Sequence, residues 1–153
     1  MTNVSSAFLV DTNVLVYAYD PADPVKQERA LSVLSRLADS GAGALTAQVL
    51  GEYFVTVTRK LRPPIPLTAA ELSVANYARS WRVLSLTPDR VVEATRAVRR
   101  HGFSYFDSTI WATAKHHGIA NVLSEDFSSG ARIEGVRFHN PFDASFDLTM
   151  LDG

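Results

Sequence analysis

Four carboxylates stand where a folded chain commonly does chemistry. Asp11 ends the apolar run Phe8-Leu9-Val10 and is followed by the polar pair Thr12-Asn13. An acid directly ending a buried strand is unusual. In open α/β sheets, ligands bind beyond the carboxyl ends of the strands. Glu52 lies in a helical segment after the short apolar run Ala44-Leu45-Thr46, Asp107 at the start of a later helix, and Asp126 just beyond Asn121-Val122-Leu123-Ser124. Taken singly, Asp107 reads as an N-cap, Glu52 as a solvated helix residue and Asp126 as a turn acid. Their repetition at element junctions favours a shared site. Clustered carboxylates repel, so they need protons or cations to sit together. Oxygen-only ligands select hard divalent ions, Mg²⁺ or Mn²⁺. Such ions let a phosphodiester approach an acidic pocket and activate a water, so the expected chemistry is hydrolysis of nucleic-acid phosphodiesters.

The elements that must position these acids follow from patterning. Residues 7 to 10 predict a strand, and Val14 to Tyr19 the start of a helix. Asp23 with Pro24 predicts an N-cap and first helical residue. The next helix carries Ala30, Leu31, Leu34, Leu37 and Ala38 at helical spacing and stops near Gly41. A third helix has Val49, Leu50, Tyr53, Phe54 and Val57 as its apolar stripe. Glu52 points about 130° from the centre of that stripe, toward a pocket rather than the core. Thr68-x-x-Glu71 predicts a capping box for a fourth helix. Val83 to Leu86 predicts a strand, Thr87-Pro88 the start of a helix ending at Gly102, and Asp107 to His117 a helix closed by Gly118. Residues 121–124 and 136–138 predict two more strands, and Asp143 to Gly153 a surface tail or interface segment. Strands alternating with helices predict an α/β fold with a short, mostly parallel sheet.

Composition narrows the class. The 153 residues are most simply one domain, residues 1–153, with 46% hydrophobic residues, enough for a real core. A net charge of -1 argues against a generally basic nucleic-acid coat but permits a local basic face. The absence of cysteine excludes disulfides, thiolate metal sites and cysteine nucleophiles. Met1 to Ser6 lacks the pattern of a signal peptide, and no apolar stretch is long enough for a bilayer, so a soluble cytoplasmic protein with no membrane partner is expected.

The motifs carry a resemblance. Val10-Asp11-Thr12-Asn13-Val14-Leu15-Val16-Tyr17-Ala18 resembles the opening motif of PIN-domain ribonucleases, specifically the VapC toxins of type II toxin–antitoxin systems. Thr46 to Tyr53, Tyr105 to Ile110 and Leu123 to Phe127 resemble their second, third and fourth motifs. The resemblance implies a PIN-like three-layer fold, with the sheet flanked by helices. It implies a Mg²⁺- or Mn²⁺-dependent endoribonuclease, a cognate antitoxin partner and a homodimer. It makes Asp11, Glu52, Asp107 and Asp126 the catalytic, metal-site acids. Asp11 and Asp107 would be the most direct ligands, with Thr12, Asn13 and Ser124 orienting carboxylates or water. Glu125 competes with Asp126 for the last place, and spacing from the strand favours Asp126.

Other features admit bland readings. Arg59, Lys60 and Arg62 suit RNA phosphates or a solvated helix end, and Arg96, Arg99 and Arg100 have the same ambiguity. His116 and His117 suit a helix C-terminus better than a general base. Trp81 and Trp111 read as core or dimer-interface residues. The apolar residues of Val14 to Tyr19 and of the next helix are candidates for an antitoxin groove or for ordinary core. Two competing functions can be weighed. A haloacid-dehalogenase-like phosphatase needs a second acid two residues beyond the first, where this chain has Asn13. A non-catalytic PIN-like module binding RNA or protein would not need all four acidic positions filled.

Overall fold

The computed structural model describes residues 7–127 and 130–153; the signal-peptide reading of Met1 to Ser6 falls outside them. The elements are β1 (Phe8–Val10), α1 (Thr12–Tyr17), α2 (Pro24–Ser40), β2 (Gly43–Thr46), α3 (Ala47–Arg59), α4 (Leu67–Ser80) and β3 (Arg82–Leu84). They continue with α5 (Pro88–His101), α6 (Tyr105–His116), β4 (Asn121–Leu123), β5 (Arg132–Ile133), β6 (Val136–His139) and a short 3₁₀ helix, Leu148–Asp152. The sheet order is β3-β2-β1-β4-β6-β5. All pairs are parallel except the β5–β6 hairpin. Every residue of β1 and β2 is buried. Successive side chains face opposite sides, so both faces of the central sheet are covered by helices, as parallel strands require.

β1 lies between β2 and β4, with Leu9 opposite Ala44 and Val10 opposite Leu123. The chain builds outward from β1 through β2 and β3, then crosses back to add β4 on the other side. The strand order thus reverses between β1 and β4, which is where such sheets open a crevice. The expected parallel neighbours are therefore neighbours in fact.

Several boundaries differ from expectation, each for a local reason. α4 begins at Leu67 with Pro66 as N-cap and no side-chain cap, so Thr68 and Glu71 form no capping box. The fixed φ of Pro66 starts the helix one residue before Thr68 could cap it. α6 begins two residues before Asp107, because the Ser104 side chain accepts the Asp107 amide N–H at 3.2 Å and takes the cap. α2 buries Ala30, Val33, Leu34 and Leu37, leaving Leu31 52% exposed and Ala38 on the surface. Both stripes have helical spacing, and packing selects the one rotated toward Val33. The predicted Val83–Leu86 strand is Arg82–Leu84.

The segment after Pro141 is no free surface tail. Phe146 and Leu151 are buried. Arg29 donates to the carbonyls of Pro141, Asp143 and Phe146, and Arg36 pairs with Asp152 at 2.8 Å. The unforeseen β5–β6 hairpin turns through Glu134 and Gly135, both at positive φ (49° and 87°), the conformation of a type I′ turn. Glu134 is held there by His101 at 2.8 Å and Lys115 at 3.1 Å. Both tryptophans belong to the packing: Trp111 is fully buried, its indole N–H donating to the Ile133 carbonyl at 3.1 Å. Val14, Leu15 and Ala18 are likewise core.

Trp81 lies across the start of β2, with Tyr77 edge-on at 5.9 Å. A Cβ at Gly43 would overlap its ring. Gly43→Ala is expected to destabilise the fold by roughly 1–3 kcal/mol, as overpacking does. Denaturant midpoints with an unchanged m-value check this, and wild-type stability would refute it.

Candidate metal centre

Asp11 follows β1 and caps α1. Its backbone N–H continues the sheet ladder to the Leu123 carbonyl at 3.0 Å. Its Oδ1 accepts the Thr12 N–H at 2.7 Å, and its Oδ2 accepts the Ser124 hydroxyl at 2.7 Å. Only 5% of the residue is exposed. Burial raises its pKa to about 7, with Asp107 and Asp126 adding to the rise while Ser124 and Thr12 oppose it.

Asp107 is in the first turn of α6, half-buried. Burial raises its pKa too, with Asp126 and Glu52 acting in the same direction and Ser104 opposing. Asp126 lies past β4. Its N–H donates to Ser124 Oγ at 3.1 Å, and its carboxylate accepts from Asn13 Nδ2 at 3.3 Å. One oxygen from each of Asp11, Asp107 and Asp126 lies within 4.8 Å of the others. Glu52 stands outside that trio but lines the same cleft, its Oε2 accepting the Thr12 hydroxyl at 2.9 Å. Thr12, Asn13 and Ser124 are thus all on the acids: Thr12 bridges Asp11 to Glu52, and Ser124 links Asp11 to Asp126. The cleft has a volume of about 540 Å³, and Lys60 and Phe106 lie on its rim.

Glu125 faces elsewhere. Its carboxylate accepts from Tyr17 Oη at 2.6 Å and from Lys26 Nζ at 2.9 Å. The bond to Glu125, followed by that to Tyr17, raises the Lys26 pKa. Glu125 is therefore a strut, and Asp126 is the acid that reaches the cleft.

Of the basic clusters, Lys60 alone lines the acidic cleft. Arg62 folds back to the Arg59 and Leu61 carbonyls, and Arg96 pairs with Glu93. His116 and His117 stack edge-on at 5.0 Å, away from the acids. Sequence reasoning overlooked Ser104, whose Ser-x-x-Asp spacing before an apolar run signals a helix start, and Phe106, whose exposure no sequence pattern announces.

The donor set fits a hard divalent cation: three carboxylates converge, one of them buried and reluctant to ionise, and every candidate donor is oxygen. Without a cation, the raised Asp11 pKa means the fold favours the protonated acid. That stability is present below the unfolded value near 3.9 and is lost as pH rises through about 7. Asp11→Asn is therefore expected to match wild type at pH 4 in EDTA. It should become more stable by on the order of 1–3 kcal/mol above pH 7. Urea titrations across pH read the difference, and parallel stability curves would contradict it.

A family model for the PIN domain matches residues 8–128. No match to a curated protein was found. Among solved structures, the Mycobacterium tuberculosis toxin VapC20, described as cleaving the sarcin-ricin loop, is 23% identical with a TM-score of 0.65, covering 86% of this chain and 99% of that one. A toxin–antitoxin complex from Klebsiella pneumoniae is 16% identical with a TM-score of 0.64, covering 88% of this chain and 98% of that one. DNA-bound VapBC from Salmonella typhimurium is 16% identical with a TM-score of 0.62, with the same coverages of 88% and 98%. At these identities the likeness is one of fold. The family match spans both ends of the acidic trio, from Asp11 to Asp126, and on it the chain belongs to the PIN-domain family.

Proposed function

We propose that this protein is the toxin of a type II toxin–antitoxin system, a Mg²⁺- or Mn²⁺-dependent endoribonuclease. The observation that carries the reading is the convergence of Asp11, Asp107 and Asp126 within 4.8 Å at the β1–β4 crevice. A bound divalent ion would supply Lewis-acid activation of water and charge neutralisation at the phosphate. Asp11 and Asp107 would hold it most directly, with Glu52 and Asp126 acting through a second ion or through water. Thr12 and Ser124 fix the carboxylate rotamers by donating to them, so the oxygens are aimed before substrate arrives. Asn13 keeps Asp126 turned inward. Lys60 on the rim meets the incoming phosphate backbone. Attack by water, rather than by the ribose 2′-hydroxyl, leaves a 5′-phosphate and a 3′-hydroxyl.

The toxin–antitoxin complexes among the similar structures support an antitoxin partner. A homodimer, a single domain over the chain and cytoplasmic residence complete the reading. Among the described residues no helix is long and apolar enough to cross a membrane.

RNA cleavage by the purified protein in Mn²⁺ or Mg²⁺, with sequencing of the ends, tests this. Asp11→Asn and Asp107→Asn are expected to lower the rate by more than about 100-fold. Undiminished cleavage in both would remove the assigned site. A wild-type protein that binds no divalent ion and cuts no RNA would favour the non-catalytic module.

The Lys26–Glu125–Tyr17 strut yields a finer expectation. Lys26→Met leaves Glu125 held by Tyr17 alone and removes the cation that neutralises it next to Asp126. Cleavage at low Mn²⁺ should fall about 10-fold and recover at saturating Mn²⁺. A Mn²⁺ titration of the rate checks it; equal loss at all concentrations would place Lys26 on the substrate instead.

A further inference from the structure

Phe106 is unusual among the large apolar side chains of the cleft, because 56% of it remains exposed. It precedes Asp107, and it lines both the acidic cleft and an adjoining groove over the outer face of α3. That groove, about 600 Å³, runs past Gln48, Gly51, Val55 and Thr56, and Lys60 lines it together with the cleft. Phe106 has one aromatic neighbour at its ring and a separate bond at its backbone. The Tyr105 ring packs edge-on at 5.5 Å, and the Thr109 hydroxyl donates to the Phe106 carbonyl at 2.6 Å. Its backbone lies in the first turn of α6, fixed by the Ser104 cap. Among the described residues, no salt bridge engages Lys60. A solvent-facing aromatic ring on a capped helix turn and a cation with no salt bridge among the described residues therefore flank the acidic cleft. This is the pairing with which proteins hold single-stranded nucleic acid: stacking on the base and charge on the backbone.

We propose that Phe106 is the stacking platform for the base of a nucleotide flanking the scissile phosphate, with Lys60 holding a phosphate of the same single strand along α3. The inference rests on the endoribonuclease reading for its substrate class. It adds the residues that meet the strand: a base stacked on Phe106 lies outside any helix, with its backbone on Lys60.

The test measures binding and cleavage separately. Fluorescence anisotropy with a labelled 12-nucleotide single-stranded RNA of mixed sequence, with Ca²⁺ in place of Mg²⁺ or Mn²⁺ to neutralise the acidic cleft, compares wild type with Phe106→Ala, Phe106→Leu and Phe106→Trp. Alanine is expected to weaken binding by roughly 5- to 100-fold, leucine nearly as much, and tryptophan little or not at all. Replacing one base by an abasic site should weaken wild type but add nothing in Phe106→Ala. Lys60→Gln should lower the slope of log K against log salt by about 0.7. Duplex RNA of the same sequence should bind without sensitivity to Phe106. Binding that is unaffected by alanine, restored equally by leucine, or absent in wild type would overturn the proposal. So would a change of oligomeric state in Phe106→Ala by light scattering, which would assign the ring to a contact between copies. The cleavage arm keeps the two readings apart. Wild-type cleavage, lost in Asp11→Asn but indifferent to Phe106, would end the stacking proposal alone. Base-dependent binding with no cleavage in any metal would end the nuclease reading alone.

Discussion

The parallel pairing of β1 with β4 is the constraint on which the site depends. With Val10 opposite Leu123, the Asp11 N–H continues the ladder to the Leu123 carbonyl. That one bond puts Asp11 level with Ser124, close enough for the hydroxyl to donate to its carboxylate at 2.7 Å. A register slip of one residue would exchange the faces of every side chain on the strand and carry Asp11 away from both Ser124 and Asp126. The site's precision is thus borrowed from the core. Leu9, Val10, Val122 and Leu123 are all fully buried, and a slipped register would turn each toward the opposite helical layer, against packing fitted to other side chains.

This placement sets a conflict between folding and chemistry. Asp11 caps α1, where the helix dipole and the Thr12 N–H favour its charged form. Burial and two neighbouring acids favour the neutral form, and burial prevails. Asp107 shows the same balance with less burial. Among the described residues, the cations near this end of the sheet are kept off the trio. Lys26 is spent on Glu125, and Lys60 stays at the rim. A basic side chain inserted among the acids would relieve the repulsion and occupy the place of a divalent ion. The repulsion left among the buried acids in the free protein is what a cation would relieve on binding.

Much of this was legible in the sequence because acids at the ends of apolar runs are conspicuous. Asp11 and Asp126 were placed by strand-end logic, and the parallel sheet made that logic geometric. Glu52 was placed by helical direction, correctly toward the cleft, yet it stands outside the trio, since direction on a helix does not give reach. Asp107 was read as opening its helix because an acid and a serine cap look alike at a helix start; the true cap, Ser104, is three residues earlier. What remained hidden depended on tertiary partners. Glu134 sits at positive φ, where its carboxylate meets His101 and Lys115, both distant in the chain. Phe146 and Leu151 look like isolated apolar residues in a polar tail until the side chains of Arg29 and Arg36 tie that tail to α2.

The tail also explains how two adjacent acids came to differ. Spacing from the strand favours Asp126 over Glu125, and Ser124 Oγ anchors the loop between them and Asp11. Glu125 turns toward α1 and α2 because Tyr17 and Lys26 receive it there. Tyr17 is in turn braced edge-on by Phe142 at 4.9 Å. Phe142 belongs to the segment after β6, beyond the residues matched by the family model, and Arg29 fixes that segment through the Pro141 carbonyl. A chain of contacts therefore runs from Arg29 through Phe142 and Tyr17 to Glu125, and then by one peptide to Asp126. With Glu125 held outward, Asp126 is left to face Asn13 and the cleft. Spacing from the strand points to Asp126, and the packing of Tyr17, Lys26 and Phe142 supplies the physical reason by giving Glu125 partners of its own.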